Sequence, residues 1–192
     1  MKEGVEKMRL FAEKSLSEVI KEKKNWINKL IEEEDESIIL SANDTYISTI
    51  KEKEYIDVPE FKFNEFELKG TTTQGNYIVY TFKIPFLGNR ESLQLQPSNR
   101  LIWDDFNVEV EEMDEVQYLT FKIETDDDSV DELKSKYVTI VNKIKRQLQN
   151  FSGEVRPFND QLEEFIRTSL DERKNRILKI EENIKSLKEI KF

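Results

Sequence analysis

The stretch NYIVYTFKIPF, residues 76–86, decides the fold. Ile78, Tyr80, Phe82, Ile84 and Phe86 fall on one side, and Tyr77, Val79, Thr81 and Lys83 on the other. That is the two-residue period of a strand with a buried face. Upstream, FKFNEFELK (61–69) reads as a partner strand, joined to it by the hairpin connection GTTTQG (70–75). Downstream, a short strand is expected at 92–96, followed by a second hairpin of 101–111 with 116–124. There Phe106, Val108 and Val110 oppose Leu119, Phe121 and Ile123, and Met113-Asp114-Glu115 supplies the turn. About five short strands with tight connections predict an antiparallel sheet, because parallel neighbours need long crossovers. A doubly wound nucleotide-binding fold is thereby excluded.

Helical periodicity flanks this sheet on both sides. Residues 2–33 read as one amphipathic helix with Val5, Met8, Ala12, Leu16, Val19, Trp26 and Leu30 along its stripe. A shorter helix is predicted over 44–54, capped by Asn43 or Asp44. Ser129 and Glu132 form an S-x-x-E capping box that opens a third helix. Its stripe of Val130, Leu133, Tyr137, Ile140, Val141, Ile144, Leu148 and Phe151 stops at Gly153. A last helix runs from Pro157–Asp160 to about residue 188, with Phe158, Leu162, Phe165, Ile166, Leu170, Ile177, Ile180, Ile184 and Leu187 on its apolar side. The expected architecture is a single α+β domain over 1–192. A long N-terminal helix (1–34), a small antiparallel sheet of about five strands (60–125) and a C-terminal helical hairpin (129–192) compose it. The long first and last helices pack as a bundle. Each is about 45 Å long at 1.5 Å per residue, more than a small sheet covers. Val5, Met8, Ala12 and Leu16, with Ile177, Ile180, Ile184 and Leu187, are therefore the candidate helix interface, between the two helices or between copies of the chain.

Composition removes many functions. The 192 residues include no cysteine and no histidine. Disulfides, Cys/His zinc sites, and Ser-His or Cys-His catalysis are excluded. No segment approaches the roughly 20 apolar residues of a membrane span, and MKEGVEKMRLFAEK lacks a secretory apolar block. A cytoplasmic protein is expected. Residues 35–128 carry 21 acidic against 8 basic side chains, whereas 1–34 balance at 8 and 8, and 129–192 carry 11 against 14. Nucleic acid requires a Lys/Arg track to displace phosphate counterions, and the acidic middle has the opposite sign.

No catalytic, cofactor-binding or metal-ligating residue is assigned. The groups Asp104-Asp105, Glu109-Glu111-Glu112 and Asp126-Asp127-Asp128 supply oxygens for a hard cation. DDDSVDEL (126–133) nevertheless lacks the spacing and glycine of a calcium loop, and acids before a helix suit its N-terminal dipole without any metal. Asp57 with Glu67-Leu68-Lys69 fits a loose D…E-x-K pattern, the basis of the alternative reading as a metal-dependent nuclease or hydrolase on the acidic centre. Arg90, after the Gly88-Asn89 turn, and Arg100 are two of the few cations there. With Trp103 they are the candidate contacts for a ligand or partner.

Two blocks together carry a resemblance: YTFKIPFLGNRESLQLQPS (80–98), and FNDQL (158–162) followed by LDERKNRIL (170–178). They resemble the N-terminal accessory region of bacterial proteins whose C-terminal half is a restriction-endonuclease-like domain. The chain departs from that pattern at Leu93-Gln94-Leu95, where the family tends to place an aromatic residue. It ends at Phe192, where a nuclease half would follow, so no catalytic residue carries over. The resemblance implies a non-catalytic regulatory, sensing or assembly module, linked to defence against phage or foreign DNA. Its implied partner is a protein or effector domain, or a second copy in a homodimer.

Overall fold

A computed structural model describes residues 5–75, 77–99, 106–126 and 129–188. Contacts within the chain gather into two compact units, Met1–Ser17 with Asp57–Val155, and Glu18–Ile56 with Arg156–Phe192. The strands are β1 (Glu6–Arg9), β2 (Lys14–Ser15), β3 (Glu60–Phe61), β4 (Glu67–Gln74), β5 (Tyr77–Leu87), β6 (Leu95–Gln96), β7 (Asn107–Met113) and β8 (Val116–Thr125). The helices are α1 (Leu16–Glu33), α2 (Glu36–Ser41), α3 (Asp44–Glu54) and α4 (Val130–Lys188). The α+β class and the antiparallel sheet are as expected.

In the first unit the main sheet has the order β1-β7-β8-β5-β3, with β4 also on β5 and every pairing antiparallel. It is a curled half-barrel. Phe82, Ile84 and Phe86 of β5, Leu119, Phe121 and Ile123 of β8, and Val108 and Val110 of β7 are buried. So are Val141, Ile144 and Phe151 in the first part of α4. Tyr137 of α4 lies among Phe66, Phe82 and Phe121, with ring centroids 4.6, 4.8 and 6.2 Å away. Burial there pushes its hydroxyl up to about 12. Asp114 and Glu115 have φ of 51° and 67° between the paired Met113 and Val116. This two-residue turn matches strand twist despite the cost of placing non-glycine residues there.

The N-terminal expectation is corrected. Within residues 6–15, Glu6–Arg9 form β1 and Lys14–Ser15 form β2 with a turn between them, and α1 is an 18-residue helix that begins only at Leu16. The backbone N–H groups of Leu10, Phe11 and Glu13 donate to Phe106, Leu93 and Gln94 at 3.2, 2.6 and 2.9 Å, partners no local helix could provide. Phe11 adopts φ of 53° between them. Met8, Leu10 and Phe11 are buried where the sheet needs apolar cover, and that burial outweighs helix propensity.

The strand boundaries also move. The segment 61–69 is interrupted by a 3₁₀ turn at Phe63–Glu65, and the expected connection 70–75 belongs mostly to β4. Residues 90–94 form a second 3₁₀ turn, leaving only β6, which pairs parallel with β2.

The C-terminal hairpin is likewise corrected: α4 is one helix of 59 residues with Pro157 inside it. The N–H that proline lacks is the one that would reach the Gly153 carbonyl, so one backbone bond is forgone, at roughly 3 kcal/mol, with about 1 kcal/mol for the glycine. Phe151, Val155, Phe158 and Leu162 are buried on both sides of this site. At about 1.5–3 kcal/mol for a buried large apolar side chain, they outweigh that cost.

In the second unit, α3 begins where Asn43 caps it, its side-chain oxygen accepting from Thr45 and Tyr46 N–H at 3.1 and 3.2 Å. Ile27, Ile31, Ile39, Ile47, Ile50 and Ile56 are buried, as are Phe158, Leu162, Ile166, Leu170 and Ile177 of α4. The buried Asn159 amide brackets Ile56, donating to its carbonyl at 2.9 Å and accepting from its N–H at 3.2 Å. Asn159→Ala orphans both backbone groups, and at about 1–3 kcal/mol for each urea unfolding should show a loss of about 2–6 kcal/mol.

Candidate functional site

Two places in the structure stand out: one gathers charge within the sheet, and the other leaves apolar surface exposed. The first is a charge cluster on the sheet face that carries Lys83. Lys83 is the one charged residue in β5 and is only 5% exposed. Its register partners are Thr120 of β8 and Glu67 of β4. The ammonium donates to Glu111 of β7 at 3.1 Å, lies 3.8 Å from the Tyr118 ring centroid of β8, and is 3.0 Å from Met113 Sδ. The β4–β5 register breaks between Leu68 and Gly70, at Lys69. A bulge re-aims a side chain, and the Lys69 ammonium reaches the same Glu111 oxygen at 3.0 Å. Burial pushes the Glu111 carboxyl up, but hydrogen bonds from Lys69 and Lys83 and their charges outweigh it, and the group sits below its ordinary value.

The second place is the end of α4. Lys24 lies 5.5 Å from the Phe165 ring centroid, Ser169 donates to Asn28 at 2.9 Å, and Arg173 and Arg176 pair with Glu32. In the pairs 24/165, 28/169 and 32/173 the numbering offset is 141 throughout, so α1 and this part of α4 run parallel. By that offset α1 ends level with residue 174, and α4 continues to Lys188. Ile166, Leu170 and Ile177 are buried, whereas Ile180, Ile184 and Leu187 on the continuing stripe are 53%, 46% and 66% exposed. Leu178 beside them is also exposed. The spacings 166, 170, 177, 180, 184 and 187 follow a heptad seam, broken only where Arg173 stands at a seam position.

The other candidate residues are placed as follows. Val5 is exposed, Ala12 is half-buried, and Met8 and Leu16 are buried in the first unit. These four do not share one helix face, because residues 6–15 are not helical. Ile177 belongs to the core of the second unit. Arg90 is exposed and 3.8 Å from Glu6, after Gly88 with its φ of 106°. Arg100 and Trp103 lie outside the described residues. Asp57 and Glu67 are exposed, and of the E-x-K pattern only Lys69 joins the ion cluster. Among the described residues, no three acidic side chains converge as a cation site, and no helix is long and apolar enough to cross a membrane.

The charge cluster is what sequence reasoning missed. Its signal was a lone lysine inside an apolar strand. No protein-family model, curated protein or solved structure matches the chain.

Proposed function

We propose that this chain is a non-catalytic assembly module that pairs with a second copy of itself through the last turns of α4. The observation that supports this reading is the heptad seam that leaves its own core after Ile177 and continues exposed through Ile180, Ile184 and Leu187. With Ile177 and Ile184 at the first seam position, and Ile180 and Leu187 at the second, Arg176 and Glu181 flank the seam. In a parallel pair, Arg176 of one copy, which also pairs with Glu32 of its own chain, faces Glu181 of the other, an attraction that favours this orientation. An antiparallel pair crossing there would bring Glu181 against Glu181. The eleven residues Leu178–Lys188 span about 16 Å, so the contact is short and its affinity modest. The resemblance to accessory regions of restriction-endonuclease-like proteins adds a setting: the paired modules would bring two defence effectors together.

The chain has no cysteine, so a single introduced one reports on this geometry. Leu187→Cys at the seam should give a disulfide-linked dimer under mild oxidation, because like seam positions in a parallel pair lie within disulfide reach. Ser186→Cys, off the seam, should stay monomeric on a non-reducing gel. Equal cross-linking of both variants would refute the parallel pairing.

A further inference from the structure

The ladder between β7 and β8 runs from Met113–Val116 to Glu109–Thr120 and stops there. Both strands continue, β7 against β1 as far as the Asn107–Arg9 pair, and β8 against β5 as far as Thr125–Ile78. The sheet therefore forks. A cavity of about 610 Å³ occupies the fork, with Phe106, Val108, Phe121 and Ile140 as its apolar wall. That volume is within the range of small-molecule sites. A neighbouring hollow of about 320 Å³ extends it along Lys122 and Glu124 to Lys136 and Lys143 of α4. At the apex of the fork Thr120 is 4% exposed, and its hydroxyl has no hydrogen-bond partner among the described residues.

Three features define what would fit. The wall is apolar and calls for an apolar body. The orphaned hydroxyl calls for a hydrogen-bonding group at the apex, since an unsatisfied buried polar atom costs about 1–3 kcal/mol. The linings of the two hollows hold four lysines, Lys7, Lys122, Lys136 and Lys143, against Glu109 and Glu124. This local excess of cations stands out in a chain of net charge −10. Lys136 already donates to the Glu124 carbonyl at 3.1 Å, and Lys7 is 3.7 Å from Glu109, whereas Lys122 stands exposed at the mouth.

We infer that the β7–β8 fork is a binding site for a small amphipathic anion. The ligand threads the gap between the strands: an aromatic or short acyl body lies on Phe121 and Val108 on the face covered by α4, while a hydrogen-bonding atom meets the Thr120 hydroxyl and the acidic group lies near Lys122 on the opposite face. The module would then sense a ligand in its first unit, independently of how its second unit assembles.

The test is a fluorescence titration of the intact protein with 8-anilinonaphthalene-1-sulfonate, an aromatic anion that brightens in apolar sites, with decanoate and uncharged decanol as competitors. Saturable binding, displaced by decanoate at lower concentration than by decanol, is expected. Lys122→Gln should weaken it about tenfold and Thr120→Val severalfold. Thr120→Val should leave the melting temperature unchanged or raised, since the native hydroxyl is unsatisfied. Ile184→Asp on the α4 overhang should leave the titration unchanged. Absence of saturation up to about 1 mM probe, indifference to both fork variants, or loss of the signal with Ile184→Asp would each overturn the assignment.

Discussion

Glu111→Gln is expected to lower the unfolding free energy by about 3–5 kcal/mol, the usual cost of removing one partner from a buried ion pair. Lys83 is the reason: its side chain is 6% exposed, its ammonium lies on the Tyr118 ring, and among the described residues Glu111 is the carboxylate it pairs with. The double variant Lys83→Met with Glu111→Leu removes both charges and should recover most of the loss, because an apolar pair of similar volume is often as stable as the buried ions. Lys69→Ala should cost far less, since Lys69 is half exposed and stays solvated. The pH dependence follows from the lowered value of Glu111. A depressed carboxyl contributes stability that is complete above the ordinary unfolded value near about 4.3. That contribution is lost as pH falls through the lower folded value. Urea midpoints of the wild type should therefore fall more steeply below about pH 4 than those of the double variant. Equal slopes would mean the cluster does not couple to folding.

The second large effect concerns association rather than folding. Ile180→Asp with Ile184→Asp should abolish self-pairing while leaving the melting temperature within about 1–2 °C, because both side chains are about half exposed in the single chain. Six such side chains, three from each copy, would bury at about 1.5 kcal/mol each, or about 9 kcal/mol in all. Association costs at least about 4 kcal/mol. The difference of about 5 kcal/mol corresponds to dissociation at roughly 0.1–0.3 mM. Two aspartates facing two aspartates at the seam would remove that margin entirely. A large drop in melting temperature for this variant would mean that the stripe is internal packing.

How legible this was differs from element to element. The helix over 44–54 and its Asn43 cap could be read because caps and amphipathic spacing are local properties. Strands β5 and β8 were legible through alternation, and the hairpin turn at Asp114-Glu115 through the break between two runs. The N-terminus was not. Met8, Ala12 and Leu16 satisfy a helical period while Met8 and Leu10 satisfy a strand period, and distant carbonyls at Leu93, Gln94 and Phe106 decide between them. Gly153 and Pro157 carried true local signals for a break, overruled by burial of Phe151, Val155, Phe158 and Leu162. The lone Lys83 was visible in its strand. Its partner on β7 follows only from the order β7-β8-β5, and the reach of Lys69 only from a bulge. The exposed half of the α4 stripe was legible as apolar, and what it lacked was knowledge of where α1 stops.

Sedimentation equilibrium of the intact chain from about 5 to about 500 µM tests the assembly claim most directly. The average mass should climb from that of the 22.9 kDa chain toward twice that value, and the Ile180→Asp/Ile184→Asp variant should stay at the lower mass throughout. A wild-type chain that remains at 22.9 kDa up to the highest concentration would contradict it.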